Sequence, residues 1–230
     1  MKNIYILLAL TITFSMNAQW GYNSNSNGIQ TIFSTASGDF STAMGSGTIA
    51  SGDYSTAMGS GTTASGFYST AMGVSTTAIG TASTAMGGAG TIASGLFSTA
   101  MGSGTIASGS ASTAIGQSTI ASGYVSTAMG FYTTASGSYS IAMGAFSTAS
   151  GDGSTAMGGT TTAIGTNSTA MGRSTTASDY ASLVIGQYNS SGSSATSADS
   201  FSTSAPAFVI GNGADGSNKS DAFKVMFNGD

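Results

Sequence analysis

The chain has 230 residues, of which 5% are charged, with four Lys or Arg against eight acidic residues and a formal net charge of −4. Histidine, cysteine and glutamate are absent, and one proline stands against 35 glycines. This excludes a thiol nucleophile, a disulfide frame, an imidazole base and a zinc cluster. The lack of Lys and Arg runs argues against nucleic-acid binding, which depends on neutralising phosphates.

Residues 1–18 read as an export signal. Met1-Lys2 supplies a positive start, Ile4 to Phe14 is an apolar run, and Ser15, Asn17 and Ala18 form a polar, small-residue exit. The run is shorter than the ~20 apolar residues a membrane-spanning helix needs, so no transmembrane helix is expected in the mature chain. Without Lys2 the mature net charge becomes 3 − 8 = −5. Residues 19–33, with Trp20, Gly21, Asn23, Asn25, Asn27 and Gly28, read as a polar lead-in.

Residues 34–186 form a repeat. Glycine falls every seven residues from Gly38 to Gly87 and, after one step of eight, from Gly95 to Gly172; Asp179 interrupts the series and Gly186 closes it. Alanine stands two residues before each of these positions, except at Val184, and Ser or Thr stands four before. The residue between Ala and Gly alternates between Ser and Met or Ile, apart from Ile79 and Ile164, so the true period is fourteen. A coiled coil is excluded because a glycine in nearly every heptad costs ~1 kcal/mol relative to alanine. Disorder needs no phase, and this phase holds along the whole segment.

Five alternating residues followed by two corner residues describe one strand and one turn. Fourteen residues then make a coil with two short strands, and the fold is all-β, a parallel β-roll or solenoid. Positions one, three and five of a strand share a face. That face carries Ser or Thr, Ala and Gly in both halves, so Ala43, Ala50, Ala57, Ala64, Ala71 and Ala78 are expected inside a flattened tube too thin for larger apolar side chains. The extra residue at Gly88-Ala89-Gly90 falls at a corner, which can absorb it without a register shift.

The outward face of the second half carries Met44, Met58, Met72, Met86, Met101, Ile115, Met129, Met143, Met157, Met171 and Ile185. At ~4.8 Å per rung this is a ridge roughly 50 Å long, and an apolar patch of that size marks an interaction surface. At ~2 kcal/mol per buried side chain the stripe would contribute on the order of 20 kcal/mol before ordering entropy. The chain is therefore expected to self-associate with this stripe as the oligomer core; the reasoning leaves the number of chains open. A column at the preceding corner holds Phe40, Tyr54, Tyr68, Ala82, Phe97, Ala111, Val125 and Tyr139. Its aromatic members Phe40, Tyr54, Tyr68, Phe97 and Tyr139 either close a seam between subunits, the preferred reading, or form an exposed edge for a ligand.

Residues 187–230 comprise a Ser-rich loop to 204 and a C-terminal strand segment. Ala207 to Gly211 resembles a repeat core, Phe223 to Phe227 alternates as a strand does, and Asn228-Gly229-Asp230 is a hairpin-turn signal with no partner strand after it, which hints at truncation. Asn212, Asp215, Asn218 and Asp221 offer hard oxygen ligands for calcium, but the spacing matches no EF-hand and a polar turn is the better reading. Asp39, Asp53 and Asp152 suit turn geometry at corners rather than catalysis, and Arg173 reads as a solvated corner charge. No metal, cofactor or catalytic residue is expected.

The units S-T-A-M-G at Ser41 to Gly45, Ser55 to Gly59, Ser69 to Gly73 and Ser168 to Gly172, with T-I-A-S-G or T-T-A-S-G between, resemble the head repeat of the YadA-like trimeric autotransporter adhesins. Ser112 to Gly116 reads S-T-A-I-G and Ser182 to Gly186 reads S-L-V-I-G. The resemblance implies a left-handed roll, a homotrimer about an apolar axis, and an exported adhesin head at the cell surface or outer membrane, binding a host, matrix or cell ligand without catalysis. The family's apolar axis positions map onto Thr42 and Met44 and their equivalents. Family repeats often carry Asn before this core; here only Asn167 does so, and neither the coiled-coil stalk nor the membrane β-barrel of the family is visible. Two alternatives stand beside this reading: an ice- or crystal-binding β-solenoid, and a shaft segment of a fibre whose C-terminal module is missing.

Overall fold

The computed structural model describes residues 20–22 and 28–230. The export signal expected at residues 1–18 lies outside the described residues, as do residues 19 and 23–27 of the lead-in. The described chain is an all-β parallel solenoid of eleven rungs. Each rung has one short strand, such as Ile49–Ala50, and one long strand, such as Thr56–Ser60. The long strands stack in one sheet of fifteen strands and the short strands in a second sheet of eleven.

The fourteen-residue period becomes register. Thr42, Ala43, Met44, Gly45 and Ser46 pair with Thr56, Ala57, Met58, Gly59 and Ser60, each with its own counterpart one rung on. The eight-residue step leaves this intact: Ala85 pairs with Ala100 and Ile92 with Thr77, and only the long strand Thr84–Gly87 is shortened. The corners carry the ladder as well. Thr42 N–H donates to Ser55 O at 2.8 Å, Tyr54 N–H donates to Asp39 O at 2.7 Å, and Gly61 N–H donates to Ser46 O at 2.8 Å. Asp53 and Asp152 join rungs through their side chains, accepting from Asp39 N–H at 2.9 Å and Ser138 N–H at 2.8 Å.

Every alanine of the repeat column from Ala36 to Ala177 has no exposed surface. The first-position hydroxyls sit inside with them, in one file of Ser55, Ser69 and Ser83 and another of Thr48, Thr62 and Thr76. Most of these hydroxyls have no hydrogen-bond partner; Thr91 is an exception, donating to Gly102 O at 3.0 Å. The interior is therefore held by methyl packing and interstrand backbone bonds more than by side-chain polarity. Val184 also fits inside and is fully buried.

Glycine departs from the expected inward position in the long strands. Gly45, Gly59 and Gly130 are exposed rather than interior. Their role is stacking: a Cβ at Gly102 would lie 1.8 Å from Gly116 O of the next rung, with φ at +129°. Any side chain there would push into the neighbouring rung, so the glycine column records rung spacing.

Side-chain amides close both ends of the short-strand sheet. Gln30 Oε1 accepts from Ala36 N–H at 2.9 Å. At the other end Asn189 imitates a missing rung: its Oδ1 accepts from Thr176 N–H at 2.8 Å, and its Nδ2 donates to Thr176 O at 2.9 Å and Ser191 O at 2.7 Å. Asp179, buried in the glycine column, accepts from Thr196 and Ser197 N–H through Oδ1. The Ser-rich segment between Gln187 and Pro206 is thereby drawn over a strand edge that would otherwise present unpaired groups to another chain. The long-strand sheet continues beyond it. Pro206–Asn212 pairs in parallel with Leu183–Gln187, and Asp221–Met226 folds back antiparallel.

Candidate functional site

The long strands expose one residue type in file. Alternation places Met44 on the face opposite Ala43, and register repeats that placement rung after rung. The eleven positions from Met44 to Ile185 are part-covered by their neighbours: nine are half-buried, while Met101 and Met129 are 37% and 38% exposed. The single chain thus covers about two thirds or more of each side chain. The gain left for association is at most about 1 kcal/mol per residue, or roughly 10 kcal/mol for the file, half the value expected when the stripe is taken as bare. The outward threonines, from Thr42 to Thr169, lie beside the file and are also half-buried.

The aromatic column stands at the corner leading into the same sheet. Phe40 and Tyr54 stack at 5.1 Å between ring centroids, Tyr54 and Tyr68 at 5.0 Å, with Phe67 edge-on to both tyrosines. Tyr139 meets Tyr124 edge-on at 5.4 Å. Phe97 stands between Ala82 and Ala111 in its column and is 62% exposed. The corner requires a left-handed residue in each rung: Phe40, Tyr54, Tyr68, Phe97 and Tyr139 have φ of 55° to 58°, and Asn167 has 58°. Asn is favoured in that region, which suits Asn167; aromatic residues there cost on the order of 1 kcal/mol each. Val125, at φ 52°, is the most strained by type because it is β-branched.

A second aromatic ladder lies at the opposite corner and was missed in the sequence. Tyr132 and Phe146 stack at 5.6 Å, with Phe131 edge-on to each at 4.6 and 5.3 Å. Tyr132 and Phe146 are fourteen residues apart, so the signal was present in the corner column that also holds Ser118 and Thr160. Arg173, expected to be simply solvated, places its guanidinium 5.6 Å from the Tyr188 ring centroid of the next rung, a cation–π contact.

The four oxygen-bearing residues at 212–221 do not converge. Asp215 is committed to its own turn, accepting from Ser217 N–H at 2.8 Å and from Asn218 N–H and Nδ2. These bonds hold its carboxyl below the ordinary 3.8, the Asn218 side chain contributing most. Asn212 Oδ1 accepts from Ser220 Oγ, and the Asp221 carboxylate faces away to accept from Ser190 and Ser191 N–H. Among the described residues no group of three or more His, Cys, Asp or Glu side chains could hold a metal, and no helix is long and apolar enough to cross a membrane, which says nothing of strand-built membrane barrels.

No curated protein matches the chain. The model of the YadA head domain repeat (two copies) matches at residues 36–62, 64–89, 88–105, 93–119, 107–133, 121–147, 135–161 and 163–189. These matches span the stacked rungs and end where the capping segment begins; with the fourteen-residue register and the alanine-lined interior, they establish that the chain belongs to the YadA head domain repeat family.

Proposed function

We propose that the chain is an exported, non-catalytic adhesin head that works as a homotrimer at the cell surface, with the methionine files of three chains packed against one another. The family supports an adhesin-type head. The observation that carries the assembly is the division of side chains across the long strand: the repeat interior takes alanine methyls and small hydroxyls, with Val184 the one larger side chain in the alanine column, while eleven Met and Ile side chains face outward in file. About 10 kcal/mol of remaining burial per chain supports association among rigid partners that order little on binding.

The aromatic corners flank this face and are assigned to the seams between chains; the repeated outer surface then offers many equivalent contacts to a ligand, which favours avidity. The ice- or crystal-binding alternative has less support, because the outward file of the short strands mixes Thr35, Thr63 and Thr77 with Ile49, Ile92, Ile106 and Ile120.

Sedimentation equilibrium of the mature chain tests the reading against a variant with Met58, Met72, Met143 and Met157 all changed to Ser. A trimer that dissociates in the variant is expected; compact monomers in both would overturn it. Tyr54→Ser with Tyr68→Ser separates the two aromatic readings: weakened association indicates a seam, and intact association with weakened attachment to matrix proteins indicates a ligand edge.

A further inference from the structure

We propose that copies of this chain recognise one another through unlike corners: the aromatic corner leading into the long strands of one copy packs into the opposite corner of the next, where glycines leave room for the rings. This rests on the assembly proposed above and adds which surfaces meet, in what orientation, and what restricts the seam to another copy of this chain.

Each corner carries a left-handed residue in nearly every rung. That backbone by itself favours Gly or Asn at both corners. The two columns instead differ in size, in opposite senses. Phe40, Tyr54 and Phe97 belong to rungs whose opposite corner holds Gly47, Gly61 and Gly104. Further along the sense reverses: Gly153 is matched with Thr160 and Ala181 with Tyr188. Only at Tyr139 and Phe146 are the left-handed residues of both corners aromatic, among the described rungs.

Crowding within the chain does not require these glycines. A Cβ at Gly47 would meet nothing within 4 Å, and at Gly61 or Gly104 its nearest neighbour would be a serine Oγ at 3.5 Å, an ordinary contact. The same column holds Ser118, Tyr132 and Phe146 at similar φ. The two corners of one rung are separated by a five-residue strand such as Thr99–Ser103, roughly 16 Å, so a ring and its matching glycine do not touch within one chain. Phe97 is the clearest case. It holds an aromatic side chain in a left-handed backbone at φ 56°, is 62% exposed, and meets no other ring among the described residues. Neither the strain nor the exposure is offset within its own chain; a glycine-lined recess on a second copy offsets both.

Orientation follows from symmetry. Copies related by rotation about an axis along the solenoid run parallel and present unlike corners to each other at similar height. Antiparallel copies would present like corners, setting aromatic rows against each other and glycines against glycines. The seam is continuous with the methionine file, since both corners border the long-strand sheet.

The chain has no cysteine, so introduced thiols report the seam directly. Phe97→Cys and Gly104→Cys are made singly and together in the mature chain and treated with a short bis-maleimide, too short to bridge the roughly 16 Å between the corners of one chain. Cross-linked oligomers on denaturing gels are expected from the double variant and from neither single variant. Gly104→Phe fills the recess and should weaken association about tenfold or more; adding Phe97→Gly to the same chain should restore it. If Gly104→Phe does not fold, the cross-linking pattern decides. Cross-linking in a single variant, none in the double variant, or undiminished association in a folded Gly104→Phe would each overturn the seam. Sedimentation of the parent separates the two proposals: a monomer overturns the assembly and the seam with it, whereas an associated parent with the wrong cross-linking pattern overturns the seam alone.

Discussion

Changing Gly116 to alanine probes what the glycine column does. Its φ is +127°, and an added Cβ would lie 2.0 Å from Gly130 O of the following rung. An ordinary contact begins near 3.4 Å, so the rungs would have to part by about 1.4 Å, enough to break the local backbone bonds of about 2.9 Å. Two lost ladder bonds at about 1 kcal/mol each and an alanine forced into a glycine-only region at about 2 kcal/mol sum to about 4 kcal/mol. Gly104 is the control. Its φ is +64°, its nearest neighbour to an added Cβ is Ser118 Oγ at 3.5 Å, and the same column accepts Ser118 and Tyr132. Gly104→Ala should cost only about 1 kcal/mol. Far-UV circular dichroism in guanidinium would show the Gly116 variant with a much lower midpoint. Its transition should also be broadened, since a rung touches only its neighbours and one broken rung divides the stack. Equal midpoints for the two variants would refute rung spacing as the reason for the glycines.

Thr119 Oγ1 is buried without a partner, so Thr119→Val should leave the melting temperature unchanged or raise it, whereas Thr91→Val, which loses the bond to Gly102 O, should cost about 1 kcal/mol. Asn189→Ala removes three hydrogen bonds at the end of the short-strand sheet; a loss of about 2 kcal/mol and faster hydrogen exchange at the Thr176 amide are expected. The carboxyl of Asp215 is held below 3.8 by Asn218 and the Ser217 amide. A depressed carboxyl stabilises the turn fully above its unfolded value and loses that contribution as pH falls through the folded one. The amide NMR signals of Ser217 and Asn218 should therefore titrate with a midpoint below the ordinary 3.8, and not at all in Asp215→Asn.

The methionine file illustrates the limits of counting along the chain. Its membership and its outward face were both legible, because alternation in a strand is a local property. Its energy was not: the sequence suggests a bare ridge, whereas neighbouring rungs already cover most of each side chain. The corner column shows the same division. The aromatic residues could be read off one by one, but their left-handed backbone, and with it the reason Asn fits there, emerged only from the path the chain takes around the bend. Asn189 and Gln30 carried no periodic signal at all, since each acts once, at an end.

The sequence by itself determined the period, the two strands per coil and the alanine interior, because side-chain size and two-residue alternation act within a few bonds. Only the tertiary structure decided what the glycines space, which hydroxyls go unpaired, how much of each methionine remains open and how the ends are closed. Those depend on atoms of different rungs meeting within a few ångströms, a nearness that distance along the chain does not encode.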